Sequence, residues 1–494
     1  MKNQVAVYVG GLVLAALVAS ACGGGGGGGP TPAAPSGSSN PTGTPTATAG
    51  PKPNIVFIVT DDQDAATVDM MPRLRATLAD QGTTFTNAFA TSPVCCPSRA
   101  TMLTGQYAHN HGIWRNVTCF PSFRDAGREQ STVATWLKAA GYRTGLVGKY
   151  LNKYPHPDAT YIPPGWDEWI SMYDEALSSD SYFDYSMNEN GTVVRYGKKE
   201  PDYITDVLSE RAVAFVRKAA SDSRPFFLWF ATNSPHYPAE PAPRYAHSRG
   251  ESAPKPPSFN EEDMGDKPQW CQQQPRLASS DIAEIDWLYR RRLETLASVE
   301  DAIDAIVKAL GEVGKLSNTY IVFTSDNGFL LGQHRFLRGK EAAYEESIRL
   351  PLIVRGPGVP VRRLDHLVAA TDLAPTLAAL GQAQTPDTVD GKSLAPLLGA
   401  SLPSFDSWRK DVFTQLEVSG IEGIPSWTAL RTRNWIFVNY PGAAAQEYYD
   451  LDADPYQLES RHRSLDATRR DQILARIDQY LTCRGASCLT TSPF

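Results

Sequence analysis

Five runs of consecutive apolar residues punctuate the chain, at residues 54–60, 143–148, 225–232, 320–325 and 351–355. They are rich in β-branched and aromatic residues and do not alternate with polar ones. That is the pattern of strands buried on both faces of a parallel sheet. Between them the period changes to that of a helix. Residues 72–79 and 131–140 read as helices, the second with Ser131 as its N-cap and Gly141 closing it. Residues 98–103 read as a helix stopped by Gly105. Residues 281–310 carry the clearest stripe, with Leu293, Leu296, Val299, Ile303, Ile306 and Leu310 at three- and four-residue steps, a core face. Strands alternating with helices predict an α/β domain with a large, mainly parallel central sheet. The polar, aromatic stretch 150–203 reads mostly as loop. After residue 400 the pattern changes to short runs at 411–416, 427–431, 434–440 and 447–450, then an amphipathic helix at 467–481. This predicts a smaller α+β subdomain with an antiparallel sheet.

Composition adds bounds. At 494 residues, with 42% hydrophobic and 20% charged residues, the chain is long enough for one large domain and a smaller one. A net charge of −7 without any basic block argues against a nucleic-acid partner. The N-terminus reads as an export signal. Lys2 precedes an apolar run over 5–18 and then Ala19-Ser20-Ala21-Cys22, too short to span a membrane. Residues 1–21 are therefore expected to be a signal peptide. Cys22 resembles the lipidated cysteine of a bacterial lipoprotein, although Ala19 stands where leucine is usual and ordinary cleavage would give a secreted form. The Gly/Pro/Ser/Thr-rich stretch 22–52 reads as a tether, and a lipid on Cys22 would be the only link to a membrane.

Export implies an oxidising compartment. Of seven cysteines, Cys483 and Cys488 lie close enough for a small disulfide loop, and Cys119 with Cys271 is the next candidate pair. That leaves the neighbours Cys95 and Cys96, which cannot easily bond each other.

The candidate chemistry collects where strands end. Asp61-Asp62, Lys149, the stretch Asn233 to His236, and Asp326-Asn327 each follow an apolar run. In open α/β sheets ligands bind outside the carboxyl ends of the strands. Asp61, Asp62, Asp326 and Asn327 supply three carboxylates and an amide, hard oxygen donors that suit Ca²⁺ or Mg²⁺ and not zinc. Asp-Asp and Asp-Asn-Gly are also common turn sequences, but two such pairs placed alike favour the metal. Cys95 stands at a helix start, where free N–H groups and the helix dipole favour a thiolate or another anion. Arg99 follows four residues on. Lys149, Lys340 and His236 are further candidate cations or proton donors. His109 and His111 follow the nucleophile's helix closely enough to reach the same cleft.

Cys95-Cys96-Pro97-Ser98-Arg99, followed by Leu103-Thr104-Gly105, resembles the Cys-x-Pro-Ser-Arg signature of the type I sulfatases. The likeness extends over almost all the chain after the tether. Residues 54–63 and 324–328 are similar to that family's two metal-binding stretches, and Gly148-Lys149-Tyr150, Pro235-His236 and Gly339-Lys340 to its lysine and histidine motifs. Within the family the chain looks most like the N-acetylglucosamine-6-sulfatases and heparan 6-O-endosulfatases. Shared with them are the double cysteine, His109-Asn110-His111, Gly148 to Asn152, Pro163 to Trp166 and the terminal Cys483-to-Cys488 loop.

The resemblance implies an alkaline-phosphatase-like sandwich, with 53–400 as the catalytic domain and 401–494 as the C-terminal subdomain. It implies hydrolysis of sulfate esters, with 6-O-sulfated N-acetylglucosamine or a related glycan as substrate. Cys95 would be oxidised to formylglycine by a formylglycine-generating enzyme, and the hydrated aldehyde would attack sulfur. Asp61, Asp62, Cys95, Asp326 and Asn327 would hold a divalent cation, Ca²⁺ ahead of Mg²⁺. Arg99 and Lys149 would stabilise the hydrate. Lys340 and His236 would hold the sulfate, one of them protonating the leaving alcohol. Cys96 would be a packing neighbour. Two positions depart from the family. Leu151 stands where many members have histidine, with His111 or Asn152 as candidate substitutes and substrate contacts, and Gln106 stands where a cation is frequent. Trp114, Trp166 and the 150–203 loops could line a sugar site or belong to the core. A phosphoester or phosphonate hydrolase of the same superfamily, and a non-catalytic surface glycan-binding protein, remain alternatives.

Overall fold

The computed structural model describes residues 51–173, 181–417 and 423–494. The expected signal peptide, Cys22 and nearly all of the tether lie outside them. Among the described residues no helix is long and apolar enough to cross a membrane.

The first apolar run is strand β1 (Asn54–Thr60), every residue of it buried. The main sheet continues with β2 (Thr83–Phe89), β3 (Arg143–Gly148), β4 (Glu168–Met172), β5 (Ser186–Glu189), β6 (Thr192–Arg195), β7 (Phe226–Ala231), β8 (Thr319–Ser325), β9 (Arg349–Arg355), β10 (Arg362–Leu364) and β11 (Val368–Ala369). Their spatial order is β10-β2-β9-β8-β1-β7-β3-β4-β5-β6, with β11 also on β2. The centre, β8-β1-β7-β3-β4, is parallel throughout. β9 runs antiparallel to both β8 and β2, so β2 points the same way as the central strands. The ends of β1, β2, β3, β7 and β8 therefore lie along one edge.

Side chains alternate between the two faces of the sheet. Ile55, Phe57 and Val59 join one core with the helices Cys95–Thr104, Val133–Ala139 and Leu373–Leu380. Val56 and Ile58 join the other, beneath the helices Ile204–Ala220 and Ser279–Glu312. The expected 131–140 helix is capped by Thr132, whose hydroxyl accepts the Thr135 N–H, and not by Ser131. The stretch 150–203 holds β4, β5 and β6, which its broken, tyrosine-rich pattern conceals. Trp166 belongs to the core, 7% exposed and stacked on Phe227.

The later residues form a separate antiparallel sheet, β12 (Val412–Leu416), β13 (Trp427–Arg431), β14 (Trp435–Tyr440) and β15 (Ala445–Asp450). The helix Ala467–Thr482 packs on it through Ile473, Ile477 and Tyr480.

Among the described residues two disulfides are present, Cys483–Cys488 and Cys96–Cys119. The Cys119–Cys271 pairing is thus corrected: Cys96 is bonded, and Cys271 is a buried free thiol beside the Tyr344 hydroxyl at 3.3 Å. Folding brings the helix Cys119–Asp125 against the helix Cys95–Thr104, a proximity that spacing alone does not reveal.

Candidate active site

The sheet edge assembles the site because its strands run together. β1 ends in Asp61 and Asp62, β8 in Asp326 and Asn327, and β3 in Lys149, whose N–H donates to Ala231 O of β7. A side chain at Gly148 would collide with that same carbonyl, and the residue's φ of 119° also calls for glycine. Cys95 opens the helix Cys95–Thr104 shortly after β2, and Gly105 ends that helix in the left-handed region. Lys340 arrives on the connection from β8 to β9.

Cys95 Sγ lies 3.3 Å from Asp61 Oδ1, 3.8 Å from Asp62 Oδ1 and 2.7 Å from Lys340 Nζ. Lys340 Nζ also donates to Asp62 Oδ1, and Lys149 Nζ to Asp61 Oδ2. Arg99 Nε donates to Asp326 Oδ2 at 2.8 Å and Nη1 to Lys149 O at 3.1 Å, while Nη2 stands 3.6 Å from Asp61 Oδ2. Asn327 Nδ2 donates to Asp62 Oδ1 at 2.7 Å, and the Asp62 N–H to Asp326 Oδ1 at 3.1 Å. His236 Nδ1 donates to Tyr237 O at 2.7 Å, which turns Nε2 toward Asp62 Oδ2 at 3.6 Å.

Charge pairing decides the ionisation. Burial opposes charge on Asp61, yet Lys149, His236, Arg99 and Lys340 together hold its carboxyl well below the usual range. Asp62 is also lowered against burial, chiefly by Lys340 and His236. Asp326 is raised by burial and by Asp61, Arg99 notwithstanding. The Cys95 thiol is pushed well up by burial and by Asp61. Burial and Asp61 thus oppose the thiolate that the helix start favours, while Lys340 and Lys149 favour it.

One ligand atom each from Asp61, Asp62, Cys95 and His236 lies within 4.8 Å of the others. Asp326 and Asn327 adjoin this group through Asp62. Asn327 Oδ1 is buried and has no hydrogen-bond partner. Three carboxylates and an orphaned amide oxygen are a donor set that fits a hard divalent cation.

Other expected residues stand apart. His111 is fully buried; its Nδ1 accepts the Ile113 N–H at 3.0 Å, which leaves Nε2 to donate to Thr101 Oγ1 at 3.1 Å. Burial and Arg128 push its pKa down to about 3. Both ring nitrogens of His111 are thus engaged by Thr101 and Ile113 of its own neighbourhood. His109 contacts Gln415 and the Cys483 carbonyl. Leu151 is buried in the apolar core, and the Gln106 amide donates to Thr388 O. Asn152 keeps a buried Oδ1 without a partner, and its backbone oxygen accepts the Phe120 N–H.

One neighbour, Arg292, escapes sequence reasoning, and Asn233 of the expected strand-end stretch stands beside the site. Arg292, inside the apolar stripe of the helix Ser279–Glu312, is 1% exposed; it donates to Asp62 O at 2.6 Å and Pro235 O at 3.2 Å. Its signal was an arginine directly before Leu293 on a face otherwise apolar. Asn233, 1% exposed at the end of β7, has neither side-chain amide atom hydrogen bonded.

A family model described as Sulfatase matches residues 53–383, and one described as N-sulphoglucosamine sulphohydrolase, C-terminal, matches residues 332–483. The chain is 38% identical over 376 residues to the putative extracellular sulfatase Sulf-1 homolog of Caenorhabditis elegans, covering 73% of this chain and 52% of that protein. It is likewise 38% identical over 356 residues to the extracellular sulfatase SULF-1 homolog of Drosophila melanogaster, covering 70% and 31%. The chain thus spans about half and about a third of these two relatives. It is 32% identical over 488 residues to the N-acetylglucosamine-6-sulfatase of Homo sapiens, covering 90% and 87%. The fold matches a structure solved with D-glucosamine-2-N,6-O-disulfate as its substrate, at a TM-score of 0.75 and 24% identity over 86% of this chain and 97% of that one. It also matches a phosphonate monoester hydrolase from Silicibacter pomeroyi, at a TM-score of 0.68 and 23% identity over 87% and 94%.

Proposed function

The chain belongs to the sulfatase family, and on that premise we propose that it hydrolyses sulfate esters at the Cys95 site. The substrate of this reading is 6-O-sulfated N-acetylglucosamine or a related sulfated glycan, in keeping with the N-acetylglucosamine-6-sulfatase relatives. The observation that carries the proposal is the contact of Cys95 Sγ with Asp61, Asp62 and Lys340 at the edge of the parallel sheet. Residues 53–400 form the catalytic domain in this reading, and 401–494 the C-terminal subdomain. The apolar N-terminal run supports export, with Cys22 as the lipidated residue.

Oxidised by a formylglycine-generating enzyme and hydrated, residue 95 would supply a hydroxyl nucleophile toward sulfur. A divalent cation, Ca²⁺ ahead of Mg²⁺, held by Asp61, Asp62, residue 95, Asp326 and Asn327, would supply positive charge against the sulfate oxygens. The protein side chains divide by depth. Arg99 and Lys149, with side chains 1% and 6% exposed, each grip a carboxylate and fix the inner wall. Lys340 and His236 are more open, 12% and 22% exposed, and in this reading would meet the arriving substrate. They hold the sulfate group, and His236 Nε2 or Lys340 Nζ gives a proton to the departing alcohol.

Two measurements test this reading together. Mass spectrometry of the Cys95 peptide is expected to find formylglycine. The purified protein is expected to release sulfate from an aryl sulfate and from N-acetylglucosamine-6-sulfate faster than phosphate from an aryl phosphate. An unmodified thiol throughout with no sulfate release would sink the proposal, and faster phosphate release would favour a phosphoester or phosphonate hydrolase.

A further inference from the structure

The chain holds a second polar cavity, of about 650 Å³, outside the Cys95 site. It lies where the β14–β15 hairpin meets the helix Gln269–Gln272 and the residues leading into the helix Ala467–Thr482. Its described lining contains no aspartate or glutamate, although the protein as a whole is acidic. Arg463 and Arg470 face it as uncommitted cations. Arg463 makes no hydrogen bond or ion pair among the described residues, and Arg470 has only a loose 3.9 Å pair with its neighbour Asp471. Lys267 also lines the cavity, but its ammonium is held by Asp266, Glu261 and the Leu458 carbonyl, so it builds the floor. Trp270 packs on Tyr440, ring centroids 5.8 Å apart, so the wall is formed before any ligand arrives.

We propose that this cavity is an accessory binding site for an anionic oligosaccharide. The inference deepens the sulfated-glycan reading of the active site and rests on it. Two guanidinium groups offer forked donors that match sulfate or carboxylate oxygens. Gln269 and Gln446 add amides of the kind that bond sugar hydroxyls, Gln446 Nε2 donating to Asn439 Oδ1 at 3.2 Å. The volume falls in the ordinary range for small-molecule sites and far exceeds what a lone inorganic anion fills. Sulfate and uronate groups share this anionic chemistry, and the probes below separate them.

The test uses the full chain and isothermal titration calorimetry. The probes are a heparin hexasaccharide, which carries sulfates and carboxylates, a hyaluronan hexasaccharide, which carries carboxylates only, and neutral chitohexaose. In the double variant Arg463→Ala/Arg470→Ala the heparin probe is expected to bind about tenfold more weakly than in the wild type. The hyaluronan probe shows the same loss if carboxylates suffice, and no binding to either protein if sulfate is required. Arg463→Lys/Arg470→Lys is expected to retain most of the affinity. Turnover of an aryl sulfate, too small to reach the cavity, is expected to match the wild type within about twofold. Unchanged heparin affinity in the alanine variant, or chitohexaose binding as tightly as heparin, overturns the proposal. Absence of aryl sulfate turnover in the wild type would instead count against the active-site reading, and the binding contrast would still be measurable.

Discussion

At the scale of single residues, the site depends on side chains that never reach the reacting atoms. Arg292 ties the carbonyl of Asp62 to that of Pro235, next to His236. Replacing it with leucine strands two buried carbonyls, a cost of about 1–3 kcal/mol each at most. Small displacements at a reacting centre are costly, so kcat is expected to fall on the order of tenfold or more, with KM changed less. Arg292→Lys is expected to recover part of kcat, since one donor is restored; recovery of stability without recovery of kcat would refute a positioning role. Glu129 shows a different constraint. It is 2% exposed, bonded to the Tyr161 hydroxyl, and burial raises its pKa from 4.5 to about 7. The folded state therefore keeps a proton that the unfolded chain loses. The contribution of Glu129 to stability is full below pH 4.5 and is lost as pH rises through about 7. Glu129→Gln is expected to flatten that decline, by roughly 3 kcal/mol between the two limits, as read from denaturant melts across the range.

At the scale of elements, the helix Cys95–Thr104 is held at both ends. Gly105 closes it in the left-handed region, and the Cys96–Cys119 disulfide fastens its first turn to the helix Cys119–Asp125. The bridge closes a loop with a sequence separation of 23 residues. On chain-entropy grounds such a loop contributes about 3 kcal/mol. The double variant Cys96→Ser/Cys119→Ser is expected to lose stability of that order in denaturant melts, whereas Cys271→Ser is expected to lose less, because Cys271 closes no loop. Cys96 and Cys95 thus do different work although they are neighbours.

At the scale of the whole molecule, one sheet edge gathers Asp61, Asp62, Lys149, Asn233, Asp326 and Asn327 from four strands far apart in sequence. A cation bound there joins β1 to β8 and is expected to stabilise the native fold as well as serve catalysis. Chelation is expected to abolish sulfate ester turnover. Returning Ca²⁺ at about a hundredfold over its Kd is expected to raise stability by about 2.7 kcal/mol, by mass action on the folded state alone. An unfolding midpoint insensitive to chelator and to Ca²⁺ would remove the metal from this site. Running the same titration with Mg²⁺ ranks the two ions by the size of the shift.

Much of this architecture was legible in the order of residues. Central strands such as Asn54–Thr60 must bury both faces, so their composition announces them, and the polar residues at their ends marked the edge where Asp61, Asp62, Asp326 and Asn327 meet. The edge strands β5 and β6 were not legible, because half-exposed strands lack such runs and Tyr182, Tyr185 and Tyr203 bury rings where the pattern reads as loop. The antiparallel run of β9 was equally hidden, since an apolar strand looks the same in either direction. Local sequence by itself determined the residue types of the site: the Cys95 signature, the paired acids, and the helix stopped at Gly105. Only the tertiary structure decided that Cys96 bonds Cys119, that both His111 ring nitrogens are engaged by Thr101 and Ile113, that Arg292 braces Asp62, and that Arg463 and Arg470 face one cavity. Those outcomes depend on distances between segments that the chain order leaves open, whereas strand burial, turn chemistry and caps are local properties that each short stretch already contains.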